Sequence, residues 1–281
     1  MANIKIGRMV LSMCQTNCYF VYKDAEPSDK TFPANEAGES SGNGGSGEND
    51  SQAAEEKEVV LVDPADQGRQ IYEALKGKGF RVSAILLTHG HFDHIWGANE
   101  LRRLSGAPIY AYEEEKKVCE NAAMNVSDQA GRPETVIPDH YVKDGELLEF
   151  AGMGFRLIAT PGHTAGSCCY YMEEEKILLS GDTLFEGSVG RTDFPTGSMS
   201  SLVRSIKDKL LVLPEDVTVY PGHGEKTTIG DEKKYNPQNP EIQKFIAEEL
   251  VRQQEAAEEL PKDRNDDWET LNHIFLETLR G

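Results

Sequence analysis

The apolar run Ala84-Ile85-Leu86-Leu87 passes directly into Thr88-His89-Gly90-His91-Phe92-Asp93-His94. Three imidazoles and a carboxylate in one short turn are awkward for a purely structural segment. At a strand end, the i, i+2 spacing of His89 and His91 points both side chains the same way. Asp93 and His94 follow in the turn and reach a neighbouring point. One segment can therefore supply ligands to two metal ions.

Further ligand types recur downstream, each in a glycine-containing loop after an expected strand. "TPGHTAGS" presents His163, "SGDTLF" presents Asp182 and "VYPGHGEKT" presents His223. Imidazole and carboxylate without thiolate suit zinc, iron or manganese. A catalytic ion keeps one position open for water. Two ions about 3.5–4 Å apart can clamp both the attacking and the leaving atom. His140 and His273 stand apart from these loops and read as ordinary surface histidines.

The rest of the chain brings these loops together in an α/β fold. Short strands are expected at Ile4–Ile6, Tyr19–Tyr22, Val59–Val62, Ala84–Leu87, 107–112, Leu147–Phe150, Phe155–Ala159, Ser167–Tyr171, Ile177–Leu179 and Val217–Tyr220. Helices are expected near Gln67–Lys76, from Ile95 through "WGANELRRL", over "EEEKKVCENAA" and near Met199–Leu210. More strands follow one another than a doubly wound sheet contains. The polar loops sit at strand ends, where open α/β architectures place their sites.

Two regions differ in composition. Residues 26–57 are rich in Gly, Ser, Asn and Glu and almost empty of large apolar side chains. Such a segment cannot bury enough surface to offset its ordering entropy. It reads as a flexible acidic insertion between two strands, with docking of a partner as the alternative. Residues 1–237 are then one catalytic domain. Residues 238–281 form a helical extension, with Ile242, Phe245, Ile246 and Leu250 on one face and Trp268, Leu271 and Phe275 on another. These helices either pack on the main domain or contact a second copy, so the expectation is a monomer or a homodimer.

The net charge of -19 argues against nucleic acid or an anionic membrane as a general partner, because the field of the protein repels phosphate. No stretch approaches the roughly 18 apolar residues of a membrane span. The start of the chain lacks the apolar core of a signal peptide. Five cysteines are an odd number, and reduced thiols in a cytoplasmic setting are expected. Cys14 and Cys18 lack a second pair at zinc-ribbon spacing, and Cys168-Cys169 read as strand packing.

"THGHFDH" matches the T-H-x-H-x-D-H signature of the metallo-β-lactamase superfamily, and "PGHT", "GDTLF" and "PGHG" follow in that family's order. The resemblance covers roughly residues 4–237, the insertion excepted. It implies an αββα sandwich, two mixed sheets face to face with helices outside. It also implies a set of site residues: His89, His91 and His163 on one metal; Asp93, His94 and His223 on the other; and Asp182 bridging them.

Within the superfamily the chain is most similar to the short bacterial glyoxalase II-type hydrolases. "LTHGHFDHIWGANEL", "GDTLFEGSVGRTDFP" and "VYPGHGEKTTIGDE" carry that likeness, and "TNCY" resembles the family's opening hairpin. The activity implied is cleavage of a small thioester, such as S-lactoylglutathione, by a hydroxide held between two divalent ions, zinc first and iron or manganese as the other options. Asp93 would orient the hydroxide as well as bind metal, and Asp182 would be the second catalytic carboxylate. No G-x-S-x-G between an expected strand and an expected helix suggests a protein nucleophile.

The segment after Asp182 departs from full-length glyoxalase II enzymes. It reads "GRTDF" where they carry a glutathione-holding tyrosine, and "GRTDF" also occurs in the one-iron persulfide dioxygenases. A dioxygenase of that kind, or a lactonase or other hydrolase of the superfamily, is the alternative. Arg191, the only cation near that segment, is expected to contact the substrate's anionic end, or else to shape its loop through Asp193.

Overall fold

Val59 to Val62 are all apolar and all buried, and their side chains divide between two cores. Val60 and Val62 pack with Tyr19, Val21, Leu86, Phe155, Leu157 and Tyr170. Val59 and Leu61 turn the other way, against Ile71, Leu75, Ile85 and Leu101. A strand buried on both faces needs a layer on each side. Here one layer is a second sheet and the other is helical.

The computed structural model describes residues 3–24 and 56–237. The expected insertion lies outside the described residues up to position 55, and Lys57 already belongs to a strand. The expected C-terminal helices at 238–281, with His273, also lie outside them.

The first sheet is ordered β1 (Asn3–Leu11), β2 (Thr16–Asp24), β3 (Lys57–Val62), β4 (Phe80–Leu86), β5 (Ile109–Tyr112), β6 (His140–Val142). Its β1–β2–β3 part is antiparallel and its β3–β4–β5–β6 part parallel. The second sheet contains β7 (Leu147–Phe150), β8 (Met153–Ala159), β9 (Cys168–Met172) and β10 (Ile177–Gly181) as an antiparallel meander. The short hairpin β11 (Leu184–Phe185) and β12 (Ser188–Val189) follows β10. β13 (Thr218–Pro221) then pairs parallel to β10, and β14 (Thr227–Thr228) closes that edge.

Helices α1 (Gly68–Gly77) and α3 (Ala98–Ser105) cover the first sheet through Ile71, Leu75 and Leu101. Helix α5 (Met199–Ser205), prolonged by a π-helical turn Ile206–Leu210, covers the second through Leu202, Ile206 and Leu210. The order is helices, sheet, sheet, helices, the expected αββα sandwich of two mixed sheets. Burying each Leu, Ile or Val of these layers contributes about 1.5–3 kcal/mol. Cys168 faces the inter-sheet core and Cys169 the helical side, so the pair is strand packing; all five cysteines are free.

Several elements differ from expectation. β1 runs the full length of β2, far beyond Ile4–Ile6, because every residue from Asn3 to Leu11 finds a partner across the hairpin. The helix expected from Ile95 is broken into α2 (Phe92–Ile95) and α3, because Gly97 donates its amide to the Pro64 carbonyl at 2.8 Å. The segment "EEEKKVCENAA" forms only a 3₁₀ turn at Glu113–Glu115 and the short α4 (Lys116–Cys119). β6, β11, β12, β14 and α6 (Ile229–Tyr235) have no counterpart among the expected elements. They are short, and their order comes from neighbours in space. His140 is exposed on β6, its ring stacked on Tyr110 at 4.7 Å.

Candidate metal centre

The expected ligands come from four loops at one end of the sandwich. His89 and His91 follow β4, and Asp93 and His94 lie in α2 directly after them. His163 follows β8, Asp182 follows β10, and His223 follows β13. His89, His91, Asp93, His94 and His163 are buried.

The structure assembles them into two clusters. His89, His91 and His163 offer ligand atoms within 4.8 Å of one another, and so do Asp93, His94 and His223. In the first, His91 Nδ1 and His163 Nε2 face each other at 2.8 Å. In the second, His94 Nε2 to His223 Nε2 is 3.4 Å, His223 Nε2 to Asp93 Oδ2 is 3.4 Å, and His94 Nε2 to Asp93 Oδ2 is 3.7 Å. Ligands about 2.1 Å from a tetrahedral cation stand about 3.4 Å apart. Asp182 spans both clusters: its Oδ2 is 3.6 Å from His163 Nε2 and 3.4 Å from His223 Nε2, and its Oδ1 is 3.4 Å from His94 Nε2.

Hydrogen bonds on the far side of each ring fix which nitrogen is free. Thr88 Oγ1 donates to Asp63 Oδ2 at 2.6 Å, so it accepts from His89 Nδ1–H at 3.1 Å. His94 Nδ1–H donates to the same Asp63 oxygen at 2.9 Å. His163 Nδ1–H donates to the Arg191 carbonyl at 2.7 Å, and His223 Nδ1–H to the Cys14 carbonyl at 3.1 Å. Each of these four rings turns Nε2 toward the site. This is the arrangement in which an outer partner orients a metal-binding imidazole. Asp63 is close enough to His89 and His94 to count as a ligand itself. However, Thr88 N–H, Thr88 Oγ1 and His94 already use its oxygens, so it orients rather than binds.

Among the described residues, the buried side-chain atoms without a hydrogen-bond partner are His89 Nε2, His91 Nε2 and Asp182 Oδ1. Orphaned polar atoms are costly inside a protein. Their confinement to this site, with the 3.4–3.7 Å spacings around Asp93, His94, His223 and Asp182, is what a pair of cations would resolve. The residues fit such a pair. Glycine is required where the loops meet: a Cβ on Gly222 would stand 2.2 Å from Asp182 Oδ1 and 2.8 Å from His94 Cε1.

The electrostatics divide the clusters in the same way. Burial keeps His89 and His163 neutral and takes His91 down to about 3, assisted by the neighbouring rings. Burial also opposes charge on His94 and His223. There the surrounding aspartates win, holding His94 well above the usual range and His223 at about 9. Burial pushes Asp93 up, but His94, His223 and Thr16 pull it down to about 2. Asp182, equally buried, is held well below the usual carboxylate range, mainly by His94 and His223.

Partners that motif spacing did not reveal complete the centre. The β1–β2 turn supplies Thr16, whose hydroxyl donates to Asp93 Oδ2 at 2.7 Å. Beside it, Asn17 Nδ2 donates to the Pro221 and Gly224 carbonyls, each at 2.9 Å, gripping the His223 loop. The ligands open onto a cleft of about 400 Å³. Phe92, Phe185, Val189 and Phe194 make much of its wall apolar, and Arg191 is the only Lys or Arg among the described lining residues. The Arg191 guanidinium holds Asp193 with two bonds, 2.7 and 2.6 Å, and lies 4.0 Å over the Phe194 ring.

Two mixed sheets between helices, with paired His/Asp clusters at one end, define a protein built to hold metal ions. Residues 53–223 match the Metallo-beta-lactamase superfamily, and the chain belongs to that superfamily. It is 35% identical over 186 residues to hydroxyacylglutathione hydrolase GloC of Haemophilus influenzae, covering 65% of this chain and 88% of that one. Among solved structures, the B3 metallo-beta-lactamase BLEG-1 is similar at 34% identity and a TM-score of 0.69, covering 84% of this chain and 100% of that one. TTHA1623, solved in a di-iron-bound form, is similar at 30% identity and a TM-score of 0.64, covering 82% and 98%. Among the described residues, no helix is long and apolar enough to cross a membrane.

Proposed function

We propose that the protein hydrolyses a small thioester of the S-acylglutathione class, using two divalent metal ions held by the two clusters. The observation that carries this reading is Asp182, whose carboxylate lies 3.6 Å from one cluster and 3.4 Å from the other. The likeness to hydroxyacylglutathione hydrolase GloC supports the substrate class. Two cations there would polarise the thioester carbonyl and make water acidic enough to attack near neutral pH.

The chain's own residues position the reactants. Asp182, ionised, holds negative charge between the clusters. Asp93 is fixed by Thr16 and remains a carboxylate, so it accepts a hydrogen bond from the attacking water and aims it. The neutral rings of His89, His91 and His163 keep their lone pairs without competing for protons. The Phe92, Phe185 and Phe194 walls exclude bulk water from the reacting carbonyl. Arg191 lies at the cleft and meets a substrate carboxylate by exchanging its Asp193 partner.

Metal analysis of the purified protein beside a hydrolysis assay on S-lactoylglutathione tests this reading. Expected are about two equivalents of metal and turnover that a chelator abolishes and zinc restores. One equivalent of iron, with oxygen consumed on glutathione persulfide and no thioester cleavage, would replace it with a dioxygenase. Cleavage of a β-lactam or lactone in preference to any thioester would keep the metal centre and replace the substrate.

A further inference from the structure

Glu115 lies in the 3₁₀ turn that follows β5, supplies no metal ligand, and is 1% exposed. Its Oε1 accepts the Gly90 N–H at 2.8 Å. Its Oε2 accepts the Thr164 hydroxyl at 2.8 Å and the Gly166 N–H at 2.9 Å. Gly90 separates His89 from His91, and Thr164 follows His163. The two loops leave different sheets, from β4 in one case and β8 in the other. One buried carboxylate therefore spans both loops that build the first cluster.

We propose that Glu115 is a positioning residue for the His89–His91–His163 cluster, setting that cluster's affinity for its cation separately from the cluster of Asp93, His94 and His223. This rests on the two-cluster reading above.

Three features carry the assignment. The first is selectivity: Asp93, His94 and His223 take their outer partners from Thr16, Asp63 and the Cys14 carbonyl, none of which bonds to Glu115. The second is the donor count. Burial pushes the Glu115 carboxyl up to about 7 and three donors converging on its two oxygens oppose that rise; an amide, with one oxygen and an NH₂, cannot accept all three. The third is close packing. A Cβ on Gly166 would stand 2.2 Å from Glu115 N, so the His163 loop is seated directly on this turn. Thr164 is held from a second side as well, its hydroxyl 2.7 Å from Ser167 Oγ and its amide donating to the same oxygen at 2.9 Å. Without the carboxylate the two loops keep their own strands but lose the shared anchor, and the separation between His91 and His163 is no longer enforced.

The test is zinc titration of the full chain by calorimetry, with stoichiometry from elemental analysis and a melting curve for each variant. Glu115→Gln keeps the volume and replaces one of the two acceptor oxygens with a donor. It is expected to weaken one of the two sites by about 10–100-fold, the usual effect of losing an outer partner, and to leave the other at wild-type affinity. Added to His163→Ala, Glu115→Gln should cost nothing further; added to His223→Ala, it should weaken the residual binding. Thr164→Val removes one of the three bonds to Glu115, together with the hydroxyl's contact to Ser167, and should give a smaller loss at the same site. Two sites unchanged in Glu115→Gln, or both weakened equally in a folded protein, would overturn the proposal. A wild type that binds a single equivalent would overturn the two-ion reading instead. The positioning role then stands or falls on whether Glu115→Gln weakens that one site.

Discussion

Asp63 Oδ2 lies 2.9 Å from His94 Nδ1 and accepts the Thr88 hydroxyl at 2.6 Å, so one buried oxygen sets the orientation of rings from both clusters. His94 is bonded to it directly, and His89 reaches it through Thr88. Asp63 adopts φ 51°, a left-handed conformation that aspartate and asparagine tolerate better than most residues. Asp63→Asn is therefore expected to fold. It loses one acceptor and places an amide group where His94 or Thr88 must donate. Zinc affinity should fall by about 10–100-fold at the cluster of Asp93, His94 and His223, and by less at the cluster of His89, which Asp63 reaches only through Thr88. Calorimetric titration checks this, and unchanged affinity would remove Asp63 from the centre.

Loading metal should release protons, and from one cluster only. His223, at about 9, and His94, well above its usual value, are protonated at pH 7.5 before a cation binds. His89, His91 and His163 are already neutral. Binding of the second cation is expected to expel roughly two protons and binding of the first close to none. The apparent affinity of the second site should then rise with pH up to about 9. The metal-free fold follows the opposite course: the raised His223 contributes stability below about pH 6.5. That stability is lost as pH rises through about 9. Titration in buffers of different ionisation heat counts the protons; equal release at both steps would contradict the division.

The seven candidate ligands were legible as a group because each is a chemically distinctive residue in a loop next to a strand, and His89 to His94 lie within six residues of the chain. The αββα layering was legible through the apolar strands and the motif order. Asp63, Thr16 and Glu115 were not, because their roles exist only across the fold: Thr16 reaches Asp93 over 77 positions, and Glu115 reaches Gly166 over 51. An aspartate before a proline reads as a strand end, and "EEE" reads as a solvated helix start. β6 escaped notice for a similar reason, being three residues ordered by pairing with β5.

Asp182→Asn should lose activity by on the order of 100-fold or more with the fold intact. Its carboxylate stands between His163 and His223, and an amide supplies neither the charge nor the second acceptor. Metal analysis should show less than the wild-type stoichiometry. Wild-type turnover with two metals retained would falsify the assignment of Asp182 as the bridge.

Replacing the insertion with a short turn should leave turnover within about twofold. Thr16, beside the metal centre, begins β2, and Asp24, beside the insertion, ends it. Eight residue steps of strand separate them by roughly 26 Å. The two ends to be joined are neighbours: Tyr22 pairs with Val59, and Lys57 Nζ is 2.8 Å from Asp24 Oδ1. A folded deletion variant with collapsed activity would show that the segment reaches the site by some other route.

Arg191→Ala should separate substrates by charge. The guanidinium lies at the cleft that also exposes Phe194 and Asp182, and its bond to Asp193 is on the surface, with 58% and 65% of the two side chains exposed. Exposed ion pairs are weak, so trading Asp193 for a substrate carboxylate costs little, and the fork geometry suits either partner. Its backbone has a second task, accepting His163 Nδ1–H, which the substitution leaves in place. KM for a carboxylate-bearing thioester should rise several-fold, while a neutral thioester of the same acyl group is nearly unaffected. The competing role is loop shaping, through Asp193 and the stack on Phe194. That role predicts equal losses on both substrates and a lower melting temperature. Asp193→Asn gives an independent reading: freeing the guanidinium should lower KM for the charged substrate if Arg191 meets it, and should impair both substrates alike if the pair only shapes the loop.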